Sequence, residues 1–474
     1  MSSPSAPAYE LGFRSVDREF ASRPLAVEGS IPEWLSGALI RNGPGKFEVG
    51  DERVNHWFDG LAMVRRYAFD DGAVRYTNRF LRTEAYENAS DGQSVGEFAT
   101  GGGGTRALFR WLRALGPPEP TDNACVHVAR LGDEYVALTE APRWVAFDPI
   151  TLETRGEFGF EDDLETHLAS AHLVVDEHRA ETIGYGTEFG RPHQFHLYRV
   201  PHGEPERERI GSVTAEGPGY VHSVAVTAGY VVLVEVPLHI SIRRALSPWT
   251  EGLLDMLEYR PERGTRIVAV DRETGAVAVD LVTEPFFTFH HVNAFETDGA
   301  IVMDLVEYED DAIVHALSFD TLREDAFTAA PDGRFVRYRV DLDDGTVARR
   351  RLYDGGLELP TVPPAVRTRS YRYAYGQATD RRGANGLAKI DTERETATEW
   401  WERSVYVEEP RVVRRPDASA EDDGVVLAPA LDTKRERSML LVFDAATLEE
   451  RARAYLPHAV PFGFHGRFFR DALE

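Results

Sequence analysis

Short apolar runs rich in Val, Tyr, Phe and Thr recur along the whole chain, separated by compact polar turn signals. VHSVAVTAGYVVLVEV from Val221 and FFTFHHVNAFE from Phe286 are typical runs. The turns read DDGAV at Asp70, RLGDEY at Arg130, DRETGAV at Asp271 and DLDDGTV at Asp341. That rhythm predicts consecutive antiparallel strands. No Pro/Ser-rich linker or composition break divides the 474 residues. The expectation is therefore one all-β domain over 1–474, with 1–25 as an N-terminal arm. A β-propeller accommodates this many strands as radial blades with little exposed edge, and its axis is a place where distant strands converge.

Within this pattern four histidines sit in or beside apolar runs: His172 in AHLVVD, His222 in YVHS, His290 in FFTFHHVNAFE and His465 in FGFHG. A buried histidine is commonly just a hydrogen-bonded core residue, so no single stretch makes a metal site. The gaps between the four are 50, 68 and 175 residues. Zinc knuckles crowd their ligands within a few residues, so that class is excluded. One ligand per strand at the centre of a closed structure fits the spacing. Neutral imidazole is the commonest protein ligand for such metals. His290 and His291 are adjacent, and neighbours on a strand face opposite ways, so only one can face the axis. The remaining histidines considered are read as bystanders. His56 is a structural hydrogen bonder and His167 lies in an acidic loop. His178, His193, His196, His202, His239, His315 and His458 are expected in solvent, near turns or charges.

Charge changes the picture next. Lys plus Arg number 53 against 79 Asp plus Glu, for a net charge of −26. Nucleic-acid phosphates would be repelled, so no nucleic-acid partner is expected. Only Lys46, Lys389 and Lys434 are lysines. An acidic, lysine-poor surface suits a salt-adapted (halophilic) protein whose carboxylates keep it hydrated. Cys125 is the single cysteine, so no intrachain disulfide can form. MSSPSAPAYELGF lacks the basic and apolar regions of a signal peptide. No run approaches the roughly 20 apolar residues that span a bilayer. The expected setting is cytoplasmic.

One segment departs from the β pattern. After Gly101–Gly104 comes TRALFRWLRALG. At about 100° per residue, Leu108, Phe109, Trp111, Leu112 and Leu115 share one arc of a helix. Arg106, Arg110 and Arg113 lie opposite, the composition of an interfacial helix. Segments 101–120 and 237–259, the latter carrying Ile242, Leu246, Trp249 and Leu253 around Pro248, are expected as cap or membrane-contact segments. Their placement would put the protein peripherally on the inner face of the membrane. Other chemistries are absent: there is no G-x-S-x-G elbow, Walker loop or H-E-x-x-H helix. The pairs Asp70-Asp71, Asp162-Asp163 and Asp343-Asp344 sit in turns and read as solvated.

Motifs in a fixed order carry a resemblance. IPEWLSGALIRNGPG at Ile31, HWFDG at His56, TDNA at Thr121 and ALTE at Ala137 come first. AHLVVD, YVHS and FFTFHHVNAFE follow, then LELP at Leu357, YRYAYG at Tyr371, EEP at Glu408, EDDGVVL at Glu421 and the terminal FHG. Nearly end to end, the chain resembles the carotenoid cleavage oxygenases, the superfamily that includes the retinal pigment epithelial membrane protein. Its details resemble the animal β-carotene-cleaving branch more than the plant branch.

The resemblance implies a seven-bladed β-propeller with a cap of loops and short helices over an axial metal site. It implies Fe(2+) held by His172, His222, His290 and His465, and it chooses His290 over His291 because the family counts three residues from ligand to Asn293. It implies that Glu140, Glu358 and Glu409 hold His222, His290 and His465, leaving His172 without a carboxylate and Glu408 as a bystander. Thr139 matches a residue narrowing an open coordination position, and Phe98 one that faces substrate in a tunnel. The implied activity is iron(II)-dependent cleavage of a carotenoid C=C bond by O2 into two carbonyls, with central cleavage of β-carotene to retinal the best match. A retinoid isomerohydrolase, a stilbenoid-cleaving dioxygenase and a non-enzymatic propeller scaffold are the rivals. The expected partners are a lipophilic polyene and O2; the sequence assigns no oligomeric state.

Overall fold

The computed structural model describes residues 8–473 except 51, 93–97, 100–119, 216, 218, 246, 248–249, 251, 324–329 and 382–383. Seven antiparallel sheets stand as radial blades, accompanied by two small two-stranded ribbons. In chain order the first blade runs from His127–Leu131 at its inner edge to Thr154–Phe158 at its rim. The second spans Leu168–Ala169 and Val174–Asp176 to Glu208–Ala215, and the third Val224–Val226 to Val277–Thr283. The fourth begins with His291–Thr297, the fifth with Leu357–Thr361, and the sixth with Val405–Val407 and Arg411–Arg414.

The seventh blade closes the ring. Its inner strand is Gly466–Phe469, paired antiparallel with Gly37–Arg41, which continues to Leu61–Asp70 and Ala73–Phe80. The segment expected as an N-terminal arm ends as a blade strand, and the residues just after it join a second blade. Phe20–Pro24 edges the seventh blade and Ala26–Gly29 edges the sixth through Tyr455. Tyr9 and Phe13, on the 3-10 turn Ala8–Phe13, are buried against Phe47, Phe319 and Phe462.

The blades repeat a local turn that the sequence encodes. In five of them an Asp ends or directly follows the third strand and its Oδ1 accepts backbone N–H groups two and three residues on. These are Asp148, Asp271, Asp341, Asp391 and Asp444. Asp side chains that bond to their own backbone in this way drive a tight turn. The residue four after each Asp is left-handed: Leu152, Gly275, Gly345, Glu395 and Leu448. Glycine takes that conformation freely, and the other three pay a local steric cost.

The second strand of a blade is flanked by strands on both sides and packs against neighbouring blades on its faces. Tyr230–Glu235 and Ala300–Glu307, second in the third and fourth blades, are buried almost throughout, whereas the rim strand Val277–Thr283 is mostly exposed. This is why these strands read as continuous apolar runs. The largest cluster of buried apolar side chains spans the third to fifth blades, including Phe287, Val306, Tyr338 and Ile390. Short helices, among them Glu84–Ser90, Ala312–Ala316 and Phe319–Arg323, interrupt the loops on the way.

Candidate metal centre

Each blade brings one residue to the axis at or beside the start of its inner strand. In blade order these are His127, His172, His222, His290, Glu358, Glu409 and His465. A polar residue survives there because the inner ends of seven strands meet and a polar side chain can find partners across the axis.

The imidazoles converge. Ring centroids of His172 lie 4.3 Å from His222, 5.1 Å from His290 and 4.4 Å from His465. His290 lies 5.2 Å from His222 and 5.0 Å from His465. Ligand nitrogens of His172, His222 and His290 all fall within 4.8 Å of one another, close enough to hold one metal ion. An isolated parallel bridge between His172 and Ser223 ties the second blade to the third beside this point.

Three of the rings donate Nδ1–H to carboxylates: His222 to Glu140 at 2.7 Å, His290 to Glu358 at 2.7 Å and His465 to Glu409 at 2.8 Å. This fixes the tautomer and leaves Nε2 facing the centre. His172 has no carboxylate partner among the described residues. Nε2 of His172 and Nε2 of His290 are buried without a hydrogen-bond partner. Orphaned acceptor nitrogens converging on one point are what a bound cation would satisfy.

Burial keeps His172, His222 and His465 neutral, as ligation requires. Burial holds the His172 pKa well below its usual value, and the neighbouring imidazoles lower it further. Burial lowers His222 despite the opposing pull of Glu140, and brings His465 down to about 4 despite Glu409. For Glu358, burial pushes the pKa up, but His290, the Leu359 N–H and the Tyr308 hydroxyl outweigh it and the net shift is downward. Glu409 is raised by burial but lowered far more by Arg411, His465 and Arg41, so it stays a carboxylate.

His291 faces the other way, its Nδ1 2.8 Å from Ser223 Oγ, which itself donates to the Phe289 carbonyl at 2.7 Å. Thr139 is buried immediately before Glu140, with its carbonyl accepting from Trp144 Nε1 at 2.9 Å. Phe98 is half-buried with its ring centroid 4.6 Å from His56 and 5.0 Å from Phe58, and Phe58 in turn lies 5.3 Å from Phe464. An aromatic path thus runs from Phe98 to the residue preceding His465. Leu108, Phe109, Trp111, Leu112 and Leu115 lie outside the described residues, as do Leu246, Pro248 and Trp249. Leu253 packs partly buried against the main core.

Several expectations are corrected. His196 and His239 are buried rather than solvated, His196 because Ser212 Oγ and Glu188 satisfy both ring nitrogens. Asp162 is not a solvated turn acid: it grips the Arg207 guanidinium at 2.7 Å. Glu408 is, as expected, not the carboxylate that meets His465, but it is a buried structural acid rather than a solvated one. It is 4 % exposed, accepts the Gly463 N–H at 2.8 Å and faces Arg41 and Arg65 at 3.6 and 3.9 Å. A carboxylate that deep must be paired. His127 was missed altogether. Its ring stacks on His465 at 5.3 Å and meets His172 edge-on at 5.9 Å. The flanking pattern VHV is the same signal as VHS at His222, so the residue was findable.

A seven-bladed propeller with an axial histidine cluster and carboxylate partners defines the class. The chain belongs to the retinal pigment epithelial membrane protein (RPE65) family, whose pattern matches residues 13–470. Among its relatives, a rice chloroplast carotenoid cleavage dioxygenase 8 homolog A is 34% identical, covering 95% of this chain and 86% of its own. The rat β,β-carotene 15,15′-dioxygenase is 28% identical over 94% and 89%. A Synechocystis apocarotenoid oxygenase superposes with a TM-score of 0.88 at 26% identity, covering 98% of both chains. Its cobalt-substituted form gives 0.87 at 27%, again covering 98% of both.

Proposed function

We propose that the protein is an iron(II)-dependent dioxygenase that cleaves a C=C bond of a carotenoid or apocarotenoid with O2, giving two carbonyl products. The observation that carries this reading is the set of three Nδ1–carboxylate pairs aiming histidine Nε2 atoms at one axial point. His172, His222, His290 and His465 would hold the iron. Bound there with open positions, iron(II) supplies O2 activation, which zinc, lacking redox chemistry, does not. Glu140, Glu358 and Glu409 hold the rings and raise their basicity. The names of the plant, animal and cyanobacterial relatives, carotenoid dioxygenases and an apocarotenoid oxygenase, support the substrate class. Phe98, Phe58 and Phe464 offer aromatic faces that would stabilise positive charge developing on a polyene.

Central cleavage of β-carotene to retinal is the substrate we put first. The identity of the relatives does not single out a branch, because the rice enzyme at 34% stands above the rat enzyme at 28%. Arginines opposite Leu108, Trp111 and Leu115 support peripheral contact with a membrane from which the substrate is drawn. Among the described residues no helix is long and apolar enough to cross one. The acidic, lysine-poor composition supports a salt-adapted protein.

The test is incubation of iron-loaded protein with β-carotene and, separately, with a retinyl ester in detergent under 18O2, with mass analysis of the products. Cleavage puts label into both aldehydes. Isomerisation of a retinyl ester without label incorporation would replace this reading with the isomerohydrolase one.

A further inference from the structure

Phe98 and Ala99 belong to no helix or strand, yet every backbone polar group of the pair has a protein partner. The Asp59 carboxylate accepts the Phe98 N–H at 2.8 Å and the Ala99 N–H at 2.9 Å, one on each oxygen. The Phe98 carbonyl accepts the Leu254 N–H at 2.7 Å, and the Ala99 carbonyl accepts from Asn55 Nδ2 at 3.1 Å. Irregular backbone in a loop ordinarily leaves such groups to water. Asp59 is 3 % exposed, and these N–H groups stand in for the water its carboxylate has lost.

The side chains that grip the pair come from one short motif, Asn55 to Asp59, folded around the 3-10 turn Trp57–Asp59. His56 caps that turn: its Nδ1 accepts the Phe58 N–H at 3.1 Å and its Nε2 donates to the Val314 carbonyl at 3.0 Å. With both nitrogens occupied the ring is fixed, and it packs on Phe98 at 4.6 Å between centroids. Phe58 packs on the same ring at 5.0 Å. On its far side the motif reaches the metal centre. Trp57 and Phe58 lie 4.8 and 5.3 Å from Phe464, the residue before His465. Gly252 closes on the pair from another direction: a Cβ there would stand 2.5 Å from the Phe98 carbonyl oxygen. One capped turn thus spans the gap between the Phe98 ring and the neighbour of a histidine at the centre.

We propose that Asn55–Asp59 is a clamp that positions Phe98 relative to His465 and so sets which double bond of a bound polyene lies over the metal, a role that rests on the dioxygenase reading above. Asp59 acts through Phe98 and is a positioning residue. A polyene is a near-uniform apolar rod, so the walls it touches fix its register, not hydrogen bonds. A wall held by its own backbone stays where packing alone would let it shift.

The first measurement is hydrogen exchange of the metal-free full chain, resolved to single amides. Asp59→Asn keeps the size but turns one acceptor into a donor. At least one of the Phe98 and Ala99 amides should then exchange about tenfold faster, as loss of one charge-assisted hydrogen bond predicts. Asp271→Asn weakens a distant blade turn in the same manner and should leave both amides unchanged. Parent exchange at both amides in Asp59→Asn overturns the clamp. The second measurement is turnover of iron-loaded protein on β-carotene, with aldehyde chain lengths read by mass. Asp59→Asn should lower kcat about 10- to 100-fold with KM near the parent, and should add aldehydes from neighbouring double bonds. Gly252→Ala leaves the motif intact but displaces Phe98, so it should add such aldehydes too. Asp271→Asn should give the parent's products. An unchanged product pattern in either Asp59→Asn or Gly252→Ala, or the same scatter in Asp271→Asn, overturns the register. Should Asp59→Asn fail to fold, Gly252→Ala decides alone. A parent that cleaves no carotenoid overturns the dioxygenase reading and the register with it, while the exchange result still decides the clamp.

Discussion

The three histidine–carboxylate pairs look alike, but their surroundings divide them. Glu140 and Glu358 each accept a phenol hydroxyl, from Tyr220 at 2.9 Å and Tyr308 at 2.7 Å. Glu409 instead meets the guanidiniums of Arg41 and Arg411 and accepts the Gly466 N–H at 3.0 Å. A phenol leaves the full negative charge to act on the histidine. Two guanidiniums claim most of it for themselves. Glu358 therefore serves its histidine chiefly, whereas Glu409 also holds the seam where Gly466–Phe469 closes the ring on Gly37–Arg41. Position around the axis, rather than chemistry at the metal, decides which carboxylate carries structure.

The largest expected effect applies to both kinds of corner. His290→Ala removes a ligand and should abolish iron binding and turnover, while His291→Ala should keep iron near the parent stoichiometry by elemental analysis. Iron lost from both would mean that the adjacent ring also ligates. The corners should then separate. Glu409→Gln leaves Arg411 without its carboxylate and Arg41, 1 % exposed, with Glu408 at 3.6 Å alone. Breaking a buried pair in this way costs about 3–5 kcal/mol, read as a lower urea midpoint. Glu358→Gln should leave that midpoint near the parent and instead lower iron affinity or activity about 10- to 100-fold. Equal destabilisation by the two changes would erase the distinction.

Acid should expose the same neutral state from another side. Burial holds His465 and His56 at about 4, below the usual 6.5. Between those values the unfolded chain binds protons that the folded chain refuses. Stability of the metal-free protein should therefore be full above pH 6.5 and fall as the pH drops from there toward about 4. Denaturant midpoints that stay flat across this window would mean the rings protonate in place. The smallest effect is Tyr308→Phe, which removes one donor to Glu358. About 1 kcal/mol, roughly fivefold in iron affinity, is expected.

Much of the architecture was legible because five of the seven blades carry their own turn signal, and an Asp with a left-handed residue four positions on is a local code. The choice of one histidine from His290-His291 also follows from strand alternation once the axis is known. Burial across blades was not legible. Asp162 has acidic sequence neighbours, and the partners of His196, Asp162 and Glu408, namely Glu188, Arg207 and Arg65, come from other stretches of the chain. His127 carried a readable flanking pattern, but its neighbour His465 arrives from the far end of the described chain.

The closing seam has a consequence for how the protein is made. Three imidazoles of the centre, His172, His222 and His290, belong to consecutive blades and can assemble as the chain lengthens. His465 comes into place only when Gly466–Phe469 pairs with Gly37–Arg41, contacts more than four hundred residues apart in sequence. Contacts of such separation form late and slowly, because the intervening loop must first be closed. On the ribosome, an emerging chain therefore passes through a stage that offers three nitrogens to any passing metal before it can offer four. Metal choice at that stage falls to whatever ion is most available, and the final strand sets the time at which the choice becomes fixed.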